Sequence, residues 1–216
     1  AVGTNALGAS TTGYENTAVG ALCLEDNTTG GYNVAVGVNA LSTNTTGSKN
    51  TAIGHQALYQ NTAEHNTALG HNALGVNTSG TYNTAVGAEC GDHLTSGGQN
   101  TAVGYSALDA CTTGGQNVAV GVQALGQNTA DHETGVGWQG LAGNTTGTYN
   151  TDLGAQALET NTTANSNVAV GYQALHLNTT GANNTAIGTN ALADQETPSN
   201  NTAIGMNANQ NNTTGY

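Results

Sequence analysis

Two apolar positions recur down the whole chain at a nearly fixed step, separated by polar and glycine positions that recur just as regularly. Counting each unit from a leading Asn as position zero, position three is Val19, Val36, Ile53, Leu69, Val86, Val103, Val120, Val136, Leu153, Val170, Ile187 and Ile204. Position eight is Leu24, Leu41, Leu58, Leu74, Leu108, Leu125, Leu141, Leu158, Leu175 and Leu192, broken by Gly91 and Asn209, and position seven is small throughout. The leading residue is Asn16, Asn33, Asn50, Asn66, Asn83, Asn100, Asn117, Glu133, Asn150, Asn167, Asn184 and Asn201, a step of 17 residues shortened to 16 before Asn66 and Glu133. A period of this length marks a stack of coils, each burying its apolar side against the next.

The local pattern names the element. The T-A-V-G run is a short β-branched extended segment, and A-L-x-x-N supplies a second extended segment in each unit. Asp152 at position two beside Leu153 places position two in water, with positions one and three facing inward. Gly at positions four and fourteen marks corners that need positive φ or close backbone approach. Asn at positions zero and eleven fits tight corners and stacked amide ladders inside the coil, with Asn27, Asn44, Asn61 and Asn77 aligned on successive rungs, then Asn128, Asn144, Asn161 and Asn178. Helices are disfavoured by the density of Gly, Asn and Thr. The expected fold is all-β: a parallel β-solenoid, β-helix or β-roll, of about 13 coils of 17 residues forming one domain over residues 1–216. With rungs about 4.8 Å apart it makes a rod of roughly 60 Å. It reads as a segment of a longer array, with A-V-G at one end and T-T-G-Y, closing on Tyr216, at the other.

Two units depart together. N-T-A-E-H at Asn61 to His65 and N-T-A-D-H at Asn128 to His132 each lose the glycine corner, and Thr81-Tyr82-Asn83 recurs at the same interval as Thr148-Tyr149-Asn150, which points to a higher-order duplication. Later, Asp194 to Ser199 replaces the usual turn and puts Pro198 at a corner.

Composition narrows the function. The net charge of -12, with 13 acids against the single Lys49, excludes attraction to nucleic acid phosphate. No stretch has the length and apolarity of a membrane-inserting helix. Cys23 and Cys90 stand in the small-residue column and read as buried thiols, while Cys111 replaces the second Asn of its unit; the three form no metal-ligand spacing.

The N-T-A-V-G and A-L-x-x-N-T-T-G blocks resemble the Asn/Thr/Gly-rich arrays of bacterial and phage tail-fibre-like proteins. The N-T-A-I-G segments at Asn50 to Gly54 and Asn184 to Gly188 also look like blocks in the head repeats of trimeric autotransporter adhesins. The resemblance covers essentially the whole chain. It implies a parallel β-roll, commonly trimeric, used for attachment at a surface.

Candidate chemistry is sparse. His55 and His71 share position five on adjacent rungs without an evident third ligand, so no metal is assigned. Asp92 and Asp109 share position nine, a spacing suited to solvated turn acids, to a cation, or to a glycosidase pair. No nucleophile has an oriented base, so the chain is not read as an enzyme, and no cofactor is implied. Trp138, Tyr105 and Tyr172 occupy position five two rungs apart, a strip suited to stacking on sugar rings. Asn-x-Thr/Ser sequons fall at Asn27, Asn44, Asn77, Asn144, Asn161, Asn178, Asn183, Asn200, Asn211 and Asn212; they arise automatically from the repeated N-T-T-G, and only in an organism with the glycosylation machinery would they put sugar along one flank of the rod. The leading expectation is a structural fibre, stalk or adhesin segment at a cell surface, in the extracellular space or on a virion. Its partners are further copies, as a trimer or an end-to-end filament, and a surface glycan or receptor. Carbohydrate or receptor binding along a face is the alternative, and ice binding by the position-twelve column of Thr28, Thr45, Thr62 and Thr78 ranks below it.

Overall fold

The computed structural model describes residues 1–211; Asn212 and Tyr216 lie outside them. Each repeat contributes one three-residue strand. In chain order they are β1 (Thr17–Val19), β2 (Val34–Val36), β3 (Thr51–Ile53), β4 (Thr67–Leu69), β5 (Thr84–Val86), β6 (Thr101–Val103), β7 (Val118–Val120), β8 (Thr134–Val136), β9 (Thr151–Leu153), β10 (Val168–Val170), β11 (Thr185–Ile187) and β12 (Thr202–Ile204). They form a single parallel sheet in sequence order, and Val2 bridges Val19 as a further level. The chain is a β-solenoid, and the register puts like on like: Thr84 opposite Thr101, Ala85 opposite Ala102, Val86 opposite Val103.

The inward and outward faces of the strand are the reverse of the sequence expectation. Position two is buried in every strand while positions one and three are exposed or half-exposed. Ala102 faces the core and Val103 faces out; Asp152 is fully buried and Leu153 is 52% exposed. The reason is width. The core opposite each strand is filled by position-seven Ala and position-eight Leu, as Ala107 and Leu108 beside Ala102, and that leaves room for a methyl group and little more. A β-branched side chain here overfills the coil, so the aliphatic column stands outside.

The second extended segment is absent. From position five to position ten the chain turns, with φ positive at six and eight, as at Ser106 (φ 49) and Leu108 (φ 57). Alternation of right- and left-handed residues sends successive amides in opposite axial directions. Ser106 N donates to Ala88 O of the preceding turn at 3.1 Å, and Leu108 N to Ala124 O of the following turn at 3.0 Å. A left-handed Leu is disfavoured by sterics, yet the column repeats because this geometry buries the side chain fully. Where Gly91 (φ 60) replaces that Leu, Leu94 at position eleven supplies the buried side chain instead.

The polar interior is built as the pattern predicts. In column eleven Asn44 Nδ2 donates to Asn27 Oδ1 at 3.1 Å, Asn77 to Asn61 at 2.8 Å, and Asn161 to Asn144 at 2.8 Å. In column zero the backbone N of Asn100 donates to Asn83 Oδ1 at 3.0 Å, and Asn100 Nδ2 to Gly114 O at 2.9 Å. Burying so many amides is tolerable because most of their donors and acceptors are paired within the turn or with a neighbouring rung, Asn44 Oδ1 and Asn178 Oδ1 being exceptions. Leu94 and Cys111 interrupt column eleven on two successive turns, and all three cysteines are buried free thiols. In the shortened turns Ala63 O and Ala130 O stand in for the glycine carbonyl, accepting from Asn50 at 2.8 Å and Asn117 at 2.8 Å. Both turns place a His on the following Tyr: His65 on Tyr82 and His132 on Tyr149, centroids 4.8 and 5.0 Å apart. The paired signature is thus a paired structure. Pro198 sits at the corner, its carbonyl accepting from Asn184 at 2.9 Å.

Candidate functional site

Three surfaces follow from this cross-section. The first is the outward face of the sheet, where Thr or Val at position one and Val, Ile or Leu at position three form two unbroken columns. Strands project alternate residues to opposite sides, so filling the core with position two forces both columns into solvent. Val19, Ile53, Leu69, Leu153, Ile187 and Ile204 are among the exposed large apolar residues.

The second is the position-five column just beyond the glycine corner. Tyr105, Trp138 and Tyr172 are each about half exposed and share the column as expected. None of the three stacks on another ring among the described residues. His55 and His71 do stack in this column, centroids 5.3 Å apart and nearly parallel. No group of three or more metal-ligating side chains occurs among the described residues.

The third is a cleft of about 500 Å³ beside Tyr105, which the sequence did not disclose. It forms where position nine is reduced to Gly126 and Ala142, leaving a notch between bulkier neighbours. Glu89, Asp109, Gln123, Gln127 and Gln139 line it. Trp138 and Tyr172 do not, so the aromatic strip is divided between a cleft wall and open surface. A smaller cleft of about 190 Å³ repeats the device at Gly75, between Tyr59 and Asp92.

The acids at position nine are not a matched pair. Asp109 accepts from His93 Nδ1 at 3.1 Å, which raises the His93 pKa, whereas partial burial above all raises Asp92. An exposed contact of this kind adds little stability. The other position-nine neighbour, Glu159, lies 3.3 Å from His176.

Two carboxyls inside the solenoid differ from all of these. Glu133 replaces the column-zero Asn and accepts from Asn150 N at 3.1 Å; burial pushes its pKa up to about 8. Asp152 replaces the position-two Ala of β9, and burial pushes it also to about 8. Neither Asp152 oxygen has a well-formed hydrogen bond, and the Val136 backbone offsets only part of the desolvation. Space for it comes from Gly140 at position seven, where other turns carry Ala or Cys. A Cβ on Gly140 would collide with Asp152 Oδ2.

The sequons are mostly unusable. Asn27, Asn44, Asn77, Asn144, Asn161 and Asn178 are fully buried in the amide ladder, which corrects the sugar-coated flank. Asn183, Asn200 and Asn211 are exposed. The position-twelve Thr column is also committed elsewhere: Thr28 Oγ1 donates to Thr45 O at 3.0 Å and Thr78 Oγ1 to Thr95 O at 3.1 Å. Those hydroxyls stitch turns together.

The architecture defines a parallel β-solenoid whose outward sheet face and flank clefts are its available surfaces. No protein-family model, curated protein or solved structure matches the chain.

Proposed function

We propose that the chain is a structural rod, a fibre, stalk or adhesin segment of the extracellular space, a cell surface or a virion. The observation that carries this reading is the continuity of the ladder, in which every strand pairs with the next in one sheet of sequential order. Nearly all the sequence serves that ladder, through core, corners and amide columns. Such a stack resists bending because each turn is bonded to its neighbours around much of its perimeter. Cryo-electron microscopy of the material as isolated tests it. Rods or filaments with an axial repeat of about 4.8 Å are expected; compact particles without that repeat overturn the reading.

Carbohydrate contact at the flank is the second reading, favoured by the cleft beside Tyr105. Three Gln amides and two carboxylates there offer donors and acceptors for sugar hydroxyls, and the Tyr ring offers a face for C–H groups. Tyr105→Ala is expected to remove glycan-array binding, with Trp138→Ala and Tyr172→Ala weakening it less, since only Tyr105 lines the cleft. Unchanged binding by the Tyr105 variant counts against this assignment.

A further inference from the structure

We infer that the outward face of the β-sheet is a lateral interface for a second copy of this chain, two solenoids packing sheet to sheet. The inference is independent of whether rods also join end to end.

The face is uncharged by register. Positions one and three contribute two columns of twelve side chains, all Thr, Val, Ile or Leu. Neither column contains a charged residue, although the chain has 13 acids and a net charge of -12. Position five, along one edge, is also free of carboxylates. Acids in solvent stand at other positions, such as Glu25, Asp92, Asp109 and Glu159 at position nine. A molecule this acidic repels its own copies over most of its surface, and this band is where that repulsion is least. Exposed columns of β-branched residues do nothing for the interior, which is filled by Ala and Leu.

Area agrees. Rungs about 4.8 Å apart and same-face residues about 6.8 Å apart along the strand give each side chain a footprint of roughly 33 Å². Twenty-four side chains therefore present about 800 Å², the amount one partner contributes to a stable interface of ordinary size. Fifteen of these side chains are aliphatic and nine are Thr. The aliphatic part is therefore about 500 Å², the size of the largest apolar patch on a typical monomer, which is often a functional surface.

Periodicity selects the partner. The face is a set of ridges at the rung spacing, and a surface that interdigitates with it along its full length must carry the same spacing. A second copy does so by construction, with side chains of the two faces meeting across the roughly 10 Å that separates packed sheets. An isologous pair uses the same face on both chains and closes.

Val103→Asp combined with Val120→Asp tests this at mid-face. Both side chains are half-exposed, so the variant keeps the core intact, and its far-ultraviolet circular dichroism is expected to match the wild type. In sedimentation equilibrium the wild type is expected at twice the 21.4 kDa chain mass, or at even multiples where rods also join at their ends. The double variant is expected to lose the lateral pairing and to bind its own kind at least 100-fold more weakly, because two buried charges would face the same charges across the interface. The control carries Thr113→Asp and Thr146→Asp, exposed residues at position thirteen, and should pair as the wild type does. A wild type that is monomeric at all concentrations, or paired chains unaffected by the Val variant, overturns the proposal.

Discussion

Gly104→Ala is expected to destabilise the solenoid by at least about 4 kcal/mol and to divide it into two separately melting blocks. Gly104 has φ +136, a conformation that side chains other than hydrogen rarely adopt. An added Cβ would also lie 2.6 Å from the backbone carbon of Gly121 in the next turn and 3.1 Å from Val122 N. The obstruction is backbone, so no rotamer change relieves it; the turns must separate. Because each turn touches only its neighbours, separation at β6 leaves the turns on either side internally complete. Urea unfolding followed by circular dichroism is expected to change from one transition to two, with a lower first midpoint. Gly126→Ala is the comparison: its Cβ would meet nothing closer than Gln123 O at 3.2 Å, and the next turn already carries Ala142 in that slot. A Gly104 variant that melts like the wild type would show that the turns are not in this contact.

The second large effect has the opposite sign. Replacing Asp152 and Gly140 together by Ala restores the residues found in other turns, and is expected to stabilise the protein at pH 7 by about 3 kcal/mol or more, roughly 6–12 °C in Tm. The wild-type cost is that of a carboxyl kept protonated in the core while the unfolded chain ionises. With the folded pKa near 8 and the unfolded value near 4, the folded state holds the extra proton between those limits. Stability therefore falls as pH rises from about 4 to about 8, by up to about 1.4 kcal/mol per pH unit for each such group, and levels off above. Glu133 contributes in the same window and the same direction. Thermal melts from pH 4 to pH 9 should show the double variant with about half the wild-type slope, and Glu133→Gln should remove much of the rest. Equal slopes in wild type and double variant would mean that Asp152 is not buried as described.

What the sequence disclosed and what it concealed divide along a physical line. The step of the Asn, Leu and Gly columns is enough for the solenoid, because a repeated turn must stack. The amide ladders follow from Asn27 through Asn77 falling on successive rungs, and the close corners from the glycine columns. Strand orientation did not follow. Val103 and Ala102 are both apolar, and hydrophobicity favours the larger inside; only the width left by Leu108 and Ala107 decides for Ala. Asp152 then reads as a marker of the solvent face when it is a buried exception accommodated by Gly140. The left-handed Leu column is equally hidden, since isolated Leu avoids that conformation and only the cross-section rewards it. At the candidate site, the shared column of Tyr105, Trp138 and Tyr172 was legible from spacing. The cleft was not, because it is made by what Gly126 and Ala142 lack.

The in-register stacking of like on like makes the molecule a ruler. Since Thr, Ala and Val meet their own kind above and below, removing one whole unit leaves every remaining neighbour relation nearly as it was. Cross-section and length are thus set separately: the first by the residues of one turn, the second by how many copies are strung together. Duplication of a 17-residue unit lengthens the solenoid by one rung, about 4.8 Å, without redesigning the core.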